Sequence, residues 1–247
     1  MIPLMRNCFV NDQQTREKLA GFILSTDFLS MGAQCKEFER RFAEWQGCKH
    51  AVLVNSGSSA NLILLQALLN MGRLRKGARV GFSALTWATN VAPIIQLGLT
   101  PVPVDVDPKT LNVMSYSLLD RLKDTPLDAL FITNALGMAG DLDAIRAVCD
   151  EYGILLIEDN CESMGTVLES GKRTGNYGAA STFSLYVAHH MSAIEGGIVC
   201  TDDDALAEML IMTRAHGWDR NLTPSRQAAW RTEYEVSEFE SKYTFYD

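Results

Sequence analysis

The segment HAVLVNSGSSANLILLQALLNMG, residues 50–72, decides the fold class of this chain. Its first part, HAVLVNS at 50–56, is a short apolar run of the kind that forms a buried strand. The small residues after it predict a turn, and the apolar pattern at 58–72 predicts a helix with Ser58 or Ser59 as its N-cap. A strand that leads through a tight turn into a helix is the first half of a βαβ unit.

The same alternation of strand and helix continues outward from this segment. Upstream, residues 11–26 and 36–46 predict helices with one apolar face. Downstream, helical patterns at 89–97, 115–123, 141–152 and 203–215 alternate with the strand candidates ARVGFS, PVPVDV, ALFITN, ILLIED and GIVCTD. This alternation predicts an α/β fold with a mostly parallel sheet covered on both faces. No repeat or Pro/Gly linker divides the chain, so we expect one domain over residues 1–247.

Composition and charge exclude several classes of protein. Of the 247 residues, 47% are hydrophobic and 21% charged, so disorder, collagen and coiled coil fit poorly. The net charge is −8 without a basic run, which argues against a nucleic-acid partner. The first residues, MIPLMRNCFVND, are too polar for a signal sequence, and no apolar stretch reaches about 18 residues, so we expect no membrane association. The six cysteines are scattered without a CxxC pair, which predicts reduced thiols and a cytoplasmic location.

Ligands of parallel α/β sheets bind outside the carboxyl ends of the strands, so residues just after the predicted strands are candidates for function. The turn at Gly57, Ser58 and Ser59 offers unpaired backbone N–H groups at a helix start, which suits a phosphate. A capped helix start without a ligand is the alternative, because the turn has neither the G-x-G-x-x-G nor the Walker A pattern. Asp159 ends the run ILLIED, and its carboxylate needs either a protonated ring nitrogen or a structural arginine as a partner.

Trp87 and a histidine pair complete the candidates at the strand ends. The indole of Trp87 either packs in the core or offers a flat face for a planar cofactor. His189 and His190 follow TFSLYVA, and on an extended segment only one of the two can face a given pocket. One of them is a reasonable general base near neutral pH, whereas a satisfied structural histidine is the alternative. No cysteine or carboxylate has the spacing that would make the pair a metal site, so we expect no metal.

Five segments in order along the chain resemble the DegT/DnrJ/EryC1/StrS family of sugar aminotransferases, which use pyridoxal phosphate. They are NSGSSANL at 55–62, TWATN at 86–90, IEDNCESMG at 157–165, STFSLYVAHH at 181–190 and EGG at 195–197. The resemblance implies the large domain of the aspartate-aminotransferase-like (type I) α/β fold. It also implies pyridoxal 5′-phosphate or pyridoxamine 5′-phosphate as the cofactor.

The resemblance further implies a role for each matching residue. For the phosphate, it implies contacts with Gly57, Ser58 and Ser59 and with the hydroxyl of Ser184. For the pyridine ring, it implies that Trp87 stacks on the face, Asp159 pairs with the protonated nitrogen and Glu162 lies at the edge. His216 and Arg220 are candidates for contact with the sugar or the nucleotide diphosphate, with a structural role as the alternative.

One departure from the family pattern decides the expected chemistry. In the transaminating members, the residue six before the glutamate of EGG is the lysine that bonds to the cofactor, and here that position is His189. No lysine occurs between Lys172 and Lys242. Because imidazole cannot form a stable imine, we expect the cofactor to be held without a covalent bond.

A histidine at this position resembles the dehydratase branch of the family. The branch implies a 3-dehydratase that acts on a nucleotide-linked 4-keto-6-deoxy sugar in deoxysugar biosynthesis of the lipopolysaccharide type. In that reaction His189 would remove a proton from the methylene carbon of pyridoxamine phosphate, and the C3 hydroxyl of the sugar would leave. Ammonia is then released, and glutamate would restore the amine form of the cofactor.

The resemblance also sets expectations for the rest of the protein. Family members continue into a smaller C-terminal domain and form dimers. We therefore expect this chain to be a cofactor-binding large domain that lacks the small domain, and to come from a homodimer. Two alternatives stay open: an aminotransferase of the same family, which needs a lysine near the cofactor, and a non-catalytic truncated member.

Overall fold

One sheet with helices on both faces forms the body of the chain. The structure, a computed structural model, describes residues 9–242 and 244–246; Cys8 and the rest of the segment 1–8 lie outside the described residues. The strands are β1 His50–Val54, β2 Arg79–Ser83, β3 Thr100–Val104, β4 Ala129–Thr133, β5 Leu155–Asp159, β6 Ala180–Ser184 and β7 Gly197–Thr201. The helices are α1 Asp12–Ser25, α2 Ala33–Gln46, α3 Gly57–Asn70, α4 Ala88–Gln96, α5 Ser115–Asp124, α6 Leu142–Tyr152, α7 Asp204–Arg214 and α8 Pro224–Glu233. Short 3-10 turns occupy Ala135–Gly137, Asp219–Asn221, Glu240–Lys242 and Thr244–Tyr246.

The predicted α/β fold with a mostly parallel sheet is confirmed. The strand order is β1-β7-β6-β5-β4-β2-β3. Strands β2 to β6 pair in parallel, and β7 runs antiparallel to both β1 and β6. All strands except β7 therefore run in one direction, so their carboxyl ends lie at one edge of the sheet.

Apolar side chains fill a layer on each face of the sheet, as the alternation of strands and helices predicts. On one face, Phe131 and Ile157 pack with residues of α3, α4 and α7. On the other face, Leu130, Ile132 and Leu156 pack with residues of α5 and α6. The division follows from strand geometry, because successive side chains of β4 and β5 point to opposite faces.

Helix α1 forms where the sequence predicts it, but its apolar residues do not pack on the sheet. No residue of α1 is buried, and Leu24 is 88% exposed. Residues 11–26 thus contain the predicted helix, and its apolar side chains stay exposed or half-buried within this chain. Among the described residues, no helix has both the length and the apolar composition needed to cross a lipid bilayer.

The two outer strands of the sheet have different surroundings. On β1, the backbone N–H of Leu53 donates to Oε1 of Glu39 at 2.8 Å. The carbonyl of Leu53 accepts from Nη1 of Arg214 at 2.7 Å, and the same nitrogen pairs with Glu39. On β3, at the opposite side, Pro101 and Pro103 alternate with valines. The Glu39–Arg214 ion pair thus forms hydrogen bonds with the outward N–H and carbonyl of Leu53 on β1. On β3, the two prolines lack N–H donors.

Candidate active site

The strand register brings the candidate residues to the same edge of the sheet. Val54 at the end of β1 is aligned with Gly197, which is aligned in turn with Ser184 at the end of β6. Asp159 at the end of β5 is aligned with Thr182. The segments that follow β1, β5 and β6 therefore start next to one another, although they are far apart in sequence.

The turn before α3 is a helix start with free N–H groups. Ser56 is the N-cap, because its hydroxyl accepts from the N–H of Ser59 at 3.1 Å. The prediction of Ser58 or Ser59 as the cap was wrong, since the helix already begins at Gly57. The first N–H groups, those of Gly57 and Ser58, have no acceptor within the helix, and the helix dipole adds partial positive charge there.

Gly57 is packed so closely that a side chain would not fit. A Cβ on Gly57 would lie 2.7 Å from Cβ of Ser184 and 3.0 Å from Sγ of Cys161. Gly197 is equally constrained, because a Cβ there would overlap the carbonyl of Ser56. The structure thus places the side chain of Ser184 directly against the start of α3, next to Gly57.

Asp159 is buried, and its hydrogen-bond donors are neutral. It is 3% exposed. Its Oδ2 accepts from Nδ2 of Asn61 at 2.9 Å and from Nδ2 of Asn90 at 2.6 Å, and its Oδ1 accepts from the N–H of Cys161 at 2.9 Å. In the described part of the chain, no structural arginine pairs with Asp159. Two amides and one backbone N–H thus hold the carboxylate at the end of β5.

Trp87 lies on the surface and not in the core. It occupies the N-cap position of α4, directly after the loop that follows β2, and is 75% exposed. The alternative of core packing is therefore wrong. An indole with this exposure leaves its apolar face open to a planar ligand.

His189 lies in a turn and its ring is half-buried. The N–H of His189 donates to the carbonyl of Tyr186 at 2.9 Å, so the expected extended segment is instead a turn. The imidazole meets the Tyr186 ring edge-on, with 5.8 Å between ring centroids. Its Nδ1 is buried and has no hydrogen-bond partner among the described residues. The neighbouring His190 is exposed, so His189 is the member of the pair that can serve a site.

The charges around His189 set its protonation state. Burial lowers the pKa of His189 below its usual value, while the carboxylates of Glu162 and Asp159 act in the opposite direction. The imidazole is therefore neutral at pH 7 and lies within electrostatic reach of both carboxylates. A neutral imidazole beside negative charges can accept a proton.

Glu162 lies at the same edge, on the turn that follows β5. Its Oε2 accepts from the N–H of Leu136 at 3.0 Å. Leu136 has a positive φ of 56°, a conformation that leucine adopts rarely. The carboxylate of Glu162 thus fixes a strained turn after β4 while its charge acts on His189.

His216 and Arg220 lie at the end of α7, apart from the residues just described. His216 is exposed and has a positive φ of 62° in the turn after the helix. The guanidinium of Arg220 stacks over the ring of Trp218 at 4.2 Å from its centroid. Within the described residues, neither side chain forms a hydrogen bond or an ion pair with Asp159 or His189. A substrate role for the two residues stays a prediction.

Three buried polar residues at this edge are not among the residues predicted from the sequence. Asn61 and Asn90 hold the carboxylate of Asp159, and the hydroxyl of Thr182 donates to Oδ1 of Asn61 at 2.7 Å. A signal was present, because Asn61 interrupts an otherwise apolar helix and Asn90 closes the segment TWATN. In residues 9–242 and 244–246, no three His, Cys, Asp or Glu side chains are grouped so that they could hold a metal ion.

A comparison with protein families identifies the chain. The model of the DegT/DnrJ/EryC1/StrS aminotransferase family matches residues 11–241. The chain belongs to this family. The match covers the sheet, the helices on both faces and every segment of the candidate site.

Relatives within the family include sugar dehydratases. GDP-4-keto-6-deoxy-D-mannose 3-dehydratase of Yersinia pseudotuberculosis is 42% identical over 205 residues, which make up 81% of this chain and 51% of that protein. The enzyme of the same name from Escherichia coli O55:H7 is 39% identical over 202 residues, which make up 81% of this chain and 52% of that protein. The chain therefore spans about half the length of the curated relatives it matches.

A solved structure of a family member has the same fold. The E. coli GDP-4-keto-6-deoxy-D-mannose-3-dehydratase with bound hydrated pyridoxal phosphate superposes with a TM-score of 0.83 at 37% identity. The superposition covers 90% of this chain and 57% of the E. coli chain. This likeness agrees with the aspartate-aminotransferase-like large domain expected for the family.

Proposed function

We propose that this chain binds pyridoxal 5′-phosphate and pyridoxamine 5′-phosphate without a covalent bond, and that it serves a 3-dehydratase. The substrate would be a nucleotide-linked 4-keto-6-deoxy sugar. The observation that carries the proposal is the half-buried imidazole of His189, whose Nδ1 has no partner in the described part of the chain. It stands at the family's lysine position. The similarity to two 3-dehydratases supports the proposal.

The described residues fit the charge and shape of such a cofactor. The N–H groups of Gly57 and Ser58, with the neighbouring hydroxyls of Ser59 and Ser184, would hold the phosphate. The contact between Gly57 and Ser184 leaves no room for a side chain between these donors.

The remaining part of the cofactor would lie between an exposed ring and a buried charge. Trp87 would cover the face of the pyridine ring, and Asp159 would hold the proton at its ring nitrogen. The neutral donors around Asp159 fit this role, because they leave its charge uncompensated. Glu162 would lie at the ring edge.

The lysines that flank the site in sequence are engaged elsewhere. Nζ of Lys172 lies 4.4 Å from the ring centroid of Tyr177, whose side chain packs in the α5/α6 layer of the core. Nζ of Lys242 lies 5.2 Å from the ring centroid of Phe239. These positions support a cofactor that is bound non-covalently.

The residues of the chain divide the proposed chemistry among them. When bound, the cofactor would supply an electron sink for the carbon next to its amine nitrogen. His189 would take the proton from that carbon, because its pKa lies below the usual value and the imidazole is neutral at pH 7. Glu162 and Asp159 would stabilise the imidazolium that results. An imidazole cannot displace the sugar as a lysine does, which favours loss of the C3 hydroxyl over amino transfer.

We also propose that the chain is the cofactor-binding large domain of a homodimeric, cytoplasmic enzyme that uses glutamate as its amino donor. Exposed apolar residues around the site support association with further protein, among them Trp87, Leu136 and Ile194 at 75%, 63% and 55% exposure. The free thiols of Cys35, Cys48, Cys149, Cys161 and Cys200 fit a reducing compartment. Light scattering tests the association directly.

Ammonia release tests the proposed reaction. The purified chain is mixed with pyridoxamine phosphate and GDP-4-keto-6-deoxymannose, and ammonia is measured over time. His189→Asn is expected to lower the rate at least about 100-fold, the usual contribution of a general base. The matched control is His190→Asn, the same change at the exposed neighbour, which is expected to keep the wild-type rate.

Three results would contradict the proposal in different ways. An unchanged rate in His189→Asn would remove the proposed base. Borohydride trapping of pyridoxal phosphate on a lysine of the chain would favour the aminotransferase alternative. No absorbance change on titration with pyridoxal phosphate would favour a non-catalytic member of the family.

A further inference from the structure

Two buried asparagines hold one oxygen of Asp159 from two different helices. Nδ2 of Asn61 on α3 and Nδ2 of Asn90 on α4 both donate to Oδ2, at 2.9 and 2.6 Å. Asn61 is fully buried and Asn90 is 1% exposed. A buried amide without an acceptor is costly, so the two amides and the carboxylate fix one another in place.

These bonds connect the elements that carry the rest of the proposed cofactor site. Asn61 lies one helical turn after Gly57, and Asn90 lies three residues after Trp87 in the first turn of α4. Oδ2 of Asp159 thus joins the phosphate-binding turn, the exposed indole and the end of β5. Together with the strand register, these two hydrogen bonds connect three of the proposed cofactor contacts.

Thr182 on β6 sets the direction of the Asn61 amide. Its hydroxyl donates to Oδ1 of Asn61 at 2.7 Å, which turns Nδ2 of Asn61 toward Asp159. The same Nδ2 lies 3.2 Å from the carbonyl of Thr89, to which it also donates. Because Thr182 is fully buried, water does not compete for this contact.

The chemistry of the donors matters as much as their position. Hydrogen bonds to the ionised form of a carboxylate favour that form. Amides do this without cancelling the charge, whereas an arginine would also neutralise it. The donors around Asp159 are therefore neutral groups that add no positive charge beside its carboxylate.

We propose that Asn61, Asn90 and Thr182 are positioning residues that aim the carboxylate of Asp159 at the ring nitrogen of the cofactor. The inference rests on the proposed cofactor, and it is independent of which sugar is the substrate. Removal of the donors would weaken cofactor binding and would make the ring nitrogen easier to deprotonate.

The binding test compares substitutions that each remove one polar group with one that keeps it. Asn61→Leu and Asn90→Leu each remove one amide, and each is expected to bind pyridoxal phosphate about 10- to 100-fold more weakly, the range for a hydrogen bond to a charged group. Thr182→Val removes the orienting hydroxyl and is expected to weaken binding about threefold to tenfold. Thr182→Ser keeps the hydroxyl and should stay within about twofold of the wild type.

The matched control is Asn70→Leu, the same change at the other end of α3. The amide of Asn70 donates to the carbonyl of Phe245 and is remote from Asp159. This variant is expected to bind pyridoxal phosphate as the wild type does. Circular dichroism checks that all variants are folded.

A pH titration of the bound cofactor provides a second measurement. Its result should not change if Asn61, Asn90 and Thr182 have a purely structural role. The absorbance of bound pyridoxal phosphate reports the protonation of its ring nitrogen. A well-aimed carboxylate favours the protonated ring, so Asn61→Leu and Asn90→Leu should titrate about one pH unit lower than the wild type. The other titratable groups that face this end of β5, namely Cys161, Glu162 and His189, are unchanged in every variant.

The outcomes separate this inference from the proposed function. A wild-type chain that binds no pyridoxal phosphate would overturn the proposed function. Wild-type affinity and titration in folded Asn61→Leu and Asn90→Leu would overturn the positioning role alone, and so would an equal loss in Asn70→Leu. If the leucine variants do not fold, the Thr182 pair decides: identical titrations in Thr182→Val and Thr182→Ser would overturn the inference.

Discussion

Two adjacent carboxylates at the end of β5 point to opposite faces of the sheet and differ in what surrounds them. Both are buried, Glu158 completely and Asp159 to within 3%. The donors to Glu158 lie between 2.7 and 3.1 Å away and are the N–H groups of Gly175, Tyr177 and Gly178 and Nδ2 of Asn134. Asp159 accepts instead from two helix side chains and one N–H of its own turn.

The difference shows that burial of a carboxylate does not by itself identify a functional one. Burial raises the pKa of Glu158, and its four hydrogen bonds act against that shift. Those bonds fill the acceptor positions of both oxygens, so Glu158 is fully used in holding the segment 175–178. Asp159 lies at the open edge beside His189, held by donors that leave its charge uncompensated. Glu158 therefore serves the fold, whereas Asp159 is placed to serve a ligand.

The largest expected effect is the loss of stability on removal of Glu158. Glu158→Ala leaves three backbone N–H groups and one amide without an acceptor, so the free energy of unfolding should fall by about 3–5 kcal/mol. Urea denaturation measures the loss, and Glu158→Gln, which keeps one acceptor oxygen, should lose less. A wild-type midpoint for Glu158→Ala would remove the contrast between the two carboxylates.

Asp159→Asn is expected to show the reverse pattern. The substitution keeps the shape and one acceptor oxygen, so the free energy of unfolding should change by less than about 1 kcal/mol. The lost charge should weaken pyridoxal phosphate binding by about 1.5–3 kcal/mol, measured by absorbance titration. Equal affinity in wild type and Asp159→Asn would show that Asp159 is structural, like its neighbour.

Two of the four tryptophans, Trp87 and Trp230, show the same contrast between a residue that serves a ligand and one that serves the fold. Trp87→Ala should leave the thermal midpoint nearly unchanged, because the side chain is 75% exposed, and should weaken cofactor binding by about 0.5–1.5 kcal/mol. Trp230→Ala removes a side chain that is 3% exposed and should cost about 3–5 kcal/mol of stability. A large drop in thermal midpoint for Trp87→Ala would contradict the surface role.

The smallest expected effect is a shift in the acidic side of the profile of reaction rate against pH. Burial lowers the pKa of His189, and the base is active when neutral, so activity should be lost only as the pH falls below about 6.5. Glu162 acts to raise that pKa. Glu162→Gln should therefore move the acid limb to lower pH, which a profile of rate against pH measures. A shift to higher pH would exclude the inferred interaction between Glu162 and His189.

The fold could be predicted from the sequence because strong apolar runs alternate with helical patterns. Strand β6 was missed as a strand candidate, because Ala180–Ser184 is rich in small polar residues and is nevertheless buried throughout. Helix α8, Pro224–Glu233, was missed because it is largely polar and has one buried residue, Trp230. In both cases the surrounding structure determines the secondary structure of the segment, and the hydrophobic pattern of the sequence does not reveal it.

The sequence predicts candidate site residues where a polar or aromatic residue, or a small-residue turn, follows a predicted strand, and the family resemblance adds Ser184. Residues 57–59, Trp87, Asp159, Ser184 and His189 stand at strand ends, and the register brings those ends together. The asparagine contacts to Asp159 were not predictable in this way, because they join residues 98 and 69 positions apart. The turn at His189 is closed by the hydrogen bond from its N–H to the carbonyl of Tyr186, where an extended segment is predicted from the sequence.

The surroundings of the two outer strands limit how this protein can aggregate. Edge strands normally invite a strand from another molecule, which is a common start of amyloid-like growth. Here the Glu39–Arg214 pair blocks the free groups of Leu53 on β1, and Pro101 and Pro103 deprive β3 of donors. Sheets of neighbouring molecules therefore cannot fuse readily at either side, even at high concentration.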